Sequence, residues 1–162
     1  MLISEIIKNQ IFKNLSLIRK TQEEIIERYH PADKMKCPMH FCIGQELMPA
    51  VLGPLMIKED SIYSHHRSHG YFIAKNGPIK EMIAEFYGKI SGTNGGLAGS
   101  QELSSAKINF YSGTILSGAL SMAVGDAYAN VYKKKETSCI QTMSIYTPLL
   151  FSIQLFHFIF QS

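Results

Sequence analysis

The sequence predicts an α/β fold whose N-terminal part is mostly helical. Helical patterns of apolar residues occur over residues 2–29, 78–88 and 115–132. The sheet has no comparable signal in the residue periodicity, and it is implied instead by a series of short motifs between Pro38 and Tyr111. Together these observations predict the N-terminal helices of an α/β domain, followed by the start of a parallel sheet.

The first helix is predicted over residues 2–29, where apolar side chains recur at three- and four-residue intervals. Charged and amide side chains fill the remaining positions, as expected for a helix with one buried face. Pro31 ends the helix, because the residue before a proline is pushed out of the helical region. A second helix is expected over residues 43–57, made irregular by its glycine and proline residues.

Two further helices flank a glycine-rich loop. Pro78 stands at the start of the helix predicted over residues 78–88, and a glycine marks its end. The helix predicted over residues 115–132 is rich in glycine and alanine, and we expect it to be largely buried. The glycines between residues 88 and 99 predict a loop that bends sharply or approaches another group closely. Their spacing matches neither a P-loop nor a dinucleotide-binding fingerprint.

Composition and charge exclude several classes of protein. Hydrophobic residues make up 46% of the chain and charged residues 18%, which is typical of a globular domain. The net charge of +3 is small and the basic residues are dispersed, so a nucleic-acid partner is not expected. Cys37, Cys42 and Cys139 are odd in number and fit no common zinc spacing. We therefore expect reduced thiols in a cytoplasmic protein.

A short polar stretch from Tyr63 to Gly70 contains three histidines that flank Arg67. One interpretation is a solvated polar turn without a binding role. A second is a metal site made by His65, His66 and His69, although their spacing is irregular and few carboxylates are near. A third is an anion site, in which the guanidinium donates two parallel hydrogen bonds to a phosphate and the imidazoles donate others.

Five motifs occur in order along the chain. They are Pro38-Met39-His40-Phe41-Cys42-Ile43-Gly44-Gln45-Glu46, His66-Arg67-Ser68-His69-Gly70, Phe86-Tyr87-Gly88-Lys89, Gly95-Gly96 with Gly99-Ser100, and Asn109-Phe110-Tyr111. In this order and spacing they resemble the alpha subunits of pyruvate, branched-chain 2-oxo acid and acetoin dehydrogenases. The resemblance runs from about Leu15 to Tyr132 and implies a thiamine-diphosphate-binding α/β fold.

The resemblance implies roles for five residues. His40 matches the family histidine that faces the reacting end of the cofactor and substrate, and Arg67 matches the arginine that holds the diphosphate. His66 stands where the family usually has a tyrosine, and its imidazole can still donate to a phosphate oxygen. Thr114 and Leu116 fall where backbone groups contact the aminopyrimidine ring.

The same resemblance implies the reaction and the partners. The family carries out oxidative decarboxylation of a 2-oxo acid and transfers the acyl group to a lipoyl carrier, with the cofactor lying between alpha and beta subunits. The expected partners are therefore a beta subunit, a lipoyl-bearing acyltransferase and a 2-oxo acid. Ala98 replaces a family glycine, Glu102 a histidine and Ser121 a proline, so the identity of the 2-oxo acid stays open.

The family holds its diphosphate through a magnesium ion, bound by the aspartate of a Gly-Asp-Gly motif and a later asparagine. Oxygen ligands of this kind suit a hard cation that bridges phosphates. This sequence contains no Gly-Asp-Gly motif, its Gly125-Asp126 pair lies inside a predicted helix, and no asparagine follows Asn130. Both magnesium ligands are therefore expected to be absent, and the 162-residue chain is expected to be inactive by itself.

The composition of the chain changes after the three lysines Lys133–Lys135. Residues 137–162 contain no aspartate, glutamate, lysine or arginine. We therefore expect residues 1–135 to be the N-terminal part of a truncated dehydrogenase alpha-subunit domain. Residues 136–162 are expected to be an unrelated apolar tail, of the kind that a frameshift in the lysine run would produce.

Two other interpretations of the chain remain open. The tail is long enough for a membrane helix, so the chain could be a small membrane-associated protein. Pro148, Gln154 and His157 interrupt its apolar run, and membrane association is therefore not the expectation. The chain could also be a non-catalytic remnant that only binds a partner subunit.

Overall fold

The computed structural model describes residues 4–29, 34–35, 37–115, 117–142 and 156–157. Its α-helices are α1 (Glu5–Arg28), α2 (Leu47–Leu52), α3 (His69–Ala74), α4 (Ile79–Phe86) and α5 (Gly118–Tyr132). Its strands are β1 (Ser61–Ser64), β2 (Ser104–Ser105), β3 (Phe110–Ser112), β4 (Cys139–Gln141) and β5 (Phe156–His157). Short 3-10 turns follow α2, at Gly53–Leu55, and β2, at Ala106–Ile108.

The helix predicted over residues 2–29 is confirmed as α1. Its first turn is capped by Ser4, whose hydroxyl accepts a hydrogen bond from the backbone N–H of Ile7 at 3.4 Å. Its buried face carries Ile18, Gln22 and Ile25, which pack against α2 and α3. Residues 1–3 and the proline predicted to end the helix lie outside the described residues.

The five strands form one sheet in the order β2-β3-β1-β4-β5. The central strand β1 runs parallel to both β3 and β4, while β2 and β5 run antiparallel to their neighbours at the two edges. Ile62 at the centre of β1 is fully buried, opposite Phe110 of β3 and Ile140 of β4. The predicted α/β class is confirmed, with parallel strands at the centre of the sheet and helices that alternate with the strands along the chain.

One open interpretation and one local prediction do not agree with the structure. The polar stretch from residue 63 onward is not a solvated turn, because it begins with the last residues of β1, whose four residues are all buried, and it ends in α3. The helix predicted over residues 43–57 begins only at Leu47, because Gly44 has a φ of +84°, a left-handed conformation that interrupts a helix.

The helix predicted over residues 115–132 is present as α5, but the prediction that it is largely buried is wrong. Only Ala119, Ala123 and Asn130 of its fifteen residues are buried. Its packing partners among the described residues are β1 and β4, which cover one face. Exposed apolar side chains occupy the rest of its surface: Leu120, Met122, Val124, Tyr128, Val131 and Tyr132.

The glycine-rich loop wraps around the carboxylate of Glu85, a buried residue in the last turn of α4. Oε2 accepts hydrogen bonds from the backbone N–H groups of Asn94 at 2.8 Å and Gly96 at 2.9 Å. Oε1 accepts from those of Ala98 at 2.7 Å and Gly99 at 3.2 Å. The loop is therefore folded around a buried anion supplied by the chain itself, which explains the close approach that its glycines predict.

β4 lies beyond residue 135, where the predicted domain boundary falls, and it pairs with β1. The boundary itself and the frameshift stay predictions, since residues 143–155 and 158–162 lie outside the described part of the chain. Within the part that is described, no helix is both long enough and apolar enough to cross a membrane.

Candidate functional site

Three of the five predicted site residues, His66, Arg67 and Thr114, lie at the carboxyl ends of parallel strands. Directly after β1 come His65, His66 and Arg67. Thr114 is separated from the end of β3 by one residue, Gly113. The carboxyl ends of parallel strands meet at one edge of a sheet, where α/β proteins bind their ligands. The two strand ends are joined there by the backbone N–H of Gly113, which donates to the carbonyl oxygen of Ser64 at 3.3 Å.

His40, His66 and Arg67 come together although they are far apart in the sequence. The His40 and His66 rings meet edge to face with their centroids 5.0 Å apart. Arg67 donates through Nη1 to the backbone carbonyl of Phe41, next to His40, and its backbone N–H donates to Nδ1 of His65 at 3.1 Å. Three predicted residues therefore form one cluster, which we call the His40–Arg67 cluster.

The cluster places one permanent cation, Arg67, beside imidazole rings. Burial, together with the smaller effects of His66 and Arg67, lowers the pKa of His65 to about 4. Burial, followed by the charges of His40 and Arg67, also lowers the pKa of His66. His65 and His66 are therefore neutral at pH 7, when each can donate one hydrogen bond and accept another. This arrangement is typical of an anion site in which the guanidinium supplies the charge.

The alternative of a metal site made by His65, His66 and His69 is not supported. His69 is fully buried, and both of its ring nitrogens already contact protein atoms, Gln22 Oε1 at 3.1 Å and Ser100 Oγ at 2.8 Å. No group of three or more histidine, cysteine or acidic side chains in the described ranges is arranged to hold a metal ion.

His69 is a structural histidine with a defined tautomer. Gln22 Oε1 also accepts from the backbone N–H of Cys42 at 3.2 Å, so an oxygen stands at this position, and Nδ1 of His69 must donate to it. Nε2 then accepts from the Ser100 hydroxyl. Burial outweighs the raising effect of the hydrogen bond at Ser100 and, together with the smaller effect of His40, lowers the pKa of His69 to about 4.

The free energy of unfolding should therefore fall as the pH is lowered from about 6.5 toward 4. A depressed folded-state pKa means that the unfolded chain binds a proton which the folded chain excludes, so this stability is present above about 6.5 and is lost in acid. The slope for one such group is about 1.4 kcal/mol per pH unit, and His65 adds to it in the same direction. Urea unfolding at several pH values measures the slope, and His69→Gln should reduce it. An unchanged slope in the variant would contradict the assignment.

Thr114 lies beside the His40–Arg67 cluster without belonging to it. Its hydroxyl donates to Oε1 of Glu102 at 2.9 Å, and both side chains are exposed. The next residue toward the N-terminus, Gln101, contacts His40, with Gln101 Nε2 at 2.9 Å from His40 Nδ1. Gln101 and Glu102 therefore link two of the predicted site residues, His40 and Thr114. Leu116 lies outside the described residues.

Glu46 supports the loop that carries His40, and sequence reasoning missed this role. Its buried Oε1 accepts hydrogen bonds from Arg19 Nε at 2.7 Å and from the backbone N–H of Gly44 at 3.0 Å. Burial raises the pKa of Glu46, but the hydrogen bonds from Arg19, Gly44 and its own backbone outweigh burial and lower it overall. Glu46 is thus an anion that ties the His40 loop to α1. A carboxylate in the motif is visible in the sequence, but its partner on α1 is not.

Comparisons with known proteins agree with this architecture. The sequence model of the family described as "Dehydrogenase E1 component" matches residues 13–143. The chain is 30% identical over 135 residues to the mitochondrial pyruvate dehydrogenase E1 component subunit alpha of Saccharomyces cerevisiae, covering 83% of this chain and 31% of the yeast protein. It is 29% identical over 129 residues to the pyruvate dehydrogenase E1 component subunit alpha of Rickettsia bellii, covering 79% of this chain and 39% of that protein.

The His40–Arg67 cluster lies at the carboxyl edge of a parallel sheet, where α/β proteins bind their ligands. The chain belongs to the dehydrogenase E1 component family, and it is similar to alpha subunits of that family. The resemblance inferred from the five motifs is confirmed. The chain spans about a third of the length of the curated relatives it matches.

Proposed function

We propose that this chain supplies part of the thiamine diphosphate site of a pyruvate dehydrogenase-type alpha subunit. The observation that carries the proposal is the His40–Arg67 cluster at the carboxyl edge of the parallel sheet. A family match over residues 13–143 supports it, because the match includes every residue of the cluster.

The residues present fit the diphosphate end of the cofactor in chemical type. Arg67 offers a guanidinium, whose fork suits two phosphate oxygens, and His66 offers an imidazole N–H. A side-chain carbon added at Gly113 would meet nothing within 4 Å, so the strand end leaves open space there. A diphosphate brings close to three negative charges, and one arginine is not enough to balance them. Magnesium would supply the missing positive charge. Its protein ligands would have to be other than the described residues, among which no metal-holding group is found.

Thiamine diphosphate, when bound, supplies the electron sink for decarboxylation of a 2-oxo acid. Arg67 would hold the diphosphate, His66 would donate a hydrogen bond to it, and Thr114 and Leu116 would present backbone groups to the aminopyrimidine ring. His40 would hold or move a proton near the reacting carbon. The acyl group would pass to the lipoyl group of an acyltransferase, and a beta subunit would complete the site.

Pyruvate is the first substrate to test, because the similar proteins of Saccharomyces cerevisiae and Rickettsia bellii are named pyruvate dehydrogenases. A cytoplasmic location stays a proposal. Several of the similar proteins carry names that place them in mitochondria.

The proposal is tested by a segment exchange. Residues 13–143 replace the matched segment of the Rickettsia bellii alpha subunit, and the graft is assembled with the beta subunit of that enzyme. We expect the graft to bind thiamine diphosphate in the presence of magnesium and to decarboxylate pyruvate with reduction of an artificial electron acceptor. The matched control is the same graft with His40→Ala, which should assemble and bind the cofactor but lose most of the activity. An assembled graft without cofactor binding would contradict the proposal.

The 162-residue chain mixed with the same beta subunit provides the second comparison. We expect it to show no magnesium-dependent binding of thiamine diphosphate, because its sequence contains no Gly-Asp-Gly motif. Calorimetric titration with and without a chelator measures this. Saturable binding that the chelator abolishes would show that the chain does hold magnesium ligands.

A further inference from the structure

Gln101 makes a direct contact with the ring of His40. The Nε2 atom of Gln101 lies 2.9 Å from Nδ1 of His40. An amide nitrogen can only donate a hydrogen bond, so Nδ1 must be the acceptor. A neutral imidazole carries a single proton, and in His40 that proton is therefore on Nε2.

The backbone around Gln101 is held on both sides, so this contact is not that of a free surface side chain. Ser100 contacts the buried ring of His69 at 2.8 Å, and Leu103 is fully buried. The hydroxyl of Ser112 donates to the carbonyl of Leu103 at 2.8 Å and lies 3.2 Å from that of Gln101. These contacts attach the segment to α3 and to the end of β3, on the same sheet edge as the His40–Arg67 cluster.

We propose that Gln101 is a positioning residue that fixes the tautomer of His40, leaving Nε2–H as the only ring donor available to a ligand. Neutral His40 then donates a hydrogen bond to an oxygen atom of the substrate, and it does not act as a base through Nε2. The functional meaning of this tautomer rests on the proposed function, whereas the tautomer itself does not.

The test reads the tautomer directly in the 162-residue chain without any cofactor. The chain is labelled with ¹⁵N-histidine, and its spectrum is recorded by magic-angle spinning on sedimented protein, so that solubility does not decide the outcome. The pH is held well above the ordinary histidine value of about 6.5. Protonated and unprotonated ring nitrogens resonate in separate ranges, and a His40→Asn variant identifies the signals of His40.

The decisive variant is Gln101→Glu, because a carboxylate can only accept and should draw the proton to Nδ1. We expect His40 to carry its proton on Nε2 in the native chain, and the tautomer ratio to shift toward Nδ1 by about tenfold or more in the variant. The matched control is Gln10→Glu, the same change at an exposed position of α1, which should leave the ratio unchanged. A native His40 protonated on Nδ1, or a ratio that Gln101→Glu does not move, would overturn the proposal.

The segment exchange separates this proposal from the proposed function. In the active graft, Gln101→Glu should lower kcat by about tenfold while the Kd for thiamine diphosphate stays within about twofold. A tautomer that shifts as expected in a graft that never binds cofactor would leave the positioning role of Gln101 standing and would reject the proposed function. A shifted tautomer with unchanged kcat in an active graft would reject the catalytic meaning of the tautomer.

Discussion

Arg67→Ala should weaken the binding of thiamine diphosphate to the grafted alpha subunit by about ten- to a hundredfold. A hydrogen bond to a charged group contributes roughly 1.5–3 kcal/mol, and tenfold in affinity corresponds to about 1.4 kcal/mol. Arg67 is the permanent cation of the His40–Arg67 cluster, and the adjacent imidazoles of His65 and His66 are neutral at pH 7. Its loss therefore removes the main attraction that the cluster offers to a diphosphate. Isothermal titration with magnesium present measures the effect.

Arg67→Lys is the matched variant, because it keeps the positive charge but loses the planar fork. We expect its affinity to fall between those of the native graft and Arg67→Ala. Both variants also lose the guanidinium contact with the carbonyl of Phe41, so thermal unfolding must be recorded to show that the His40 loop stays folded. A dissociation constant that neither variant changes would show that Arg67 does not hold the diphosphate.

The elements with strong periodicity or clear end signals could be predicted from the sequence. α1 and α4 lie where the apolar spacing and Pro78 predict them. β1 could not be predicted in this way, because Ser61–Ser64 contains two serines and shows no alternation of buried and exposed side chains. Both faces of the strand are covered, with Ile62 in the main core and Tyr63 packed against α5. The predicted burial of α5 is too high. Small residues allow a helix to pack closely, but they do not show that a packing partner is present on every face.

Some residues of the candidate site could likewise be predicted from the sequence, and others could not. The family resemblance assigned His40, His66 and Arg67 to one site, and the structure places them near one another, while their roles stay predictions. Gln101 had no signal, since a lone glutamine in a loop acquires its role only from the ring that the fold places beside it. The roles of Glu46 and Glu85 could not be predicted either. Their partners are backbone N–H groups and an arginine distant in the sequence.

Glu85→Gln should destabilise the fold by roughly 3 kcal/mol, the largest stability effect that we expect from a single substitution. The native carboxylate accepts four backbone N–H groups of the glycine-rich loop, two on each oxygen. An amide keeps one acceptor oxygen, and its nitrogen would face two N–H donors that then lose their partner. The loop packs directly against this carboxylate, since a side-chain carbon added at Gly92 would lie only 2.4 Å from Oε2 of Glu85.

The pH dependence identifies the charge of Glu85 as the cause. Burial raises the pKa of Glu85, but the hydrogen bonds from Asn94, Gly96, Ala98 and Gly99 outweigh it and lower the pKa overall. A lowered folded-state pKa means that this stability is complete above about 4.5 and is lost as the pH falls through the folded-state value. The difference in unfolding free energy between the native chain and Glu85→Gln should therefore shrink below about pH 4.5, a more acidic range than that of His69.

Glu81→Gln provides the matched control, because it makes the same change on the same helix. Glu81 pairs with Lys107 at 3.8 Å, and the lysine side chain is largely exposed, so its removal should cost less than about 1 kcal/mol. Urea unfolding of the native chain and both variants measures the three free energies at each pH. Equal destabilisation by Glu81→Gln and Glu85→Gln, or a difference between native and Glu85→Gln that does not shrink in acid, would show that the loop does not depend on the buried carboxylate. In that case the glycines alone would hold the loop beside α4, and the Ser100–Leu103 segment that follows it would owe its position to Ser112 and His69.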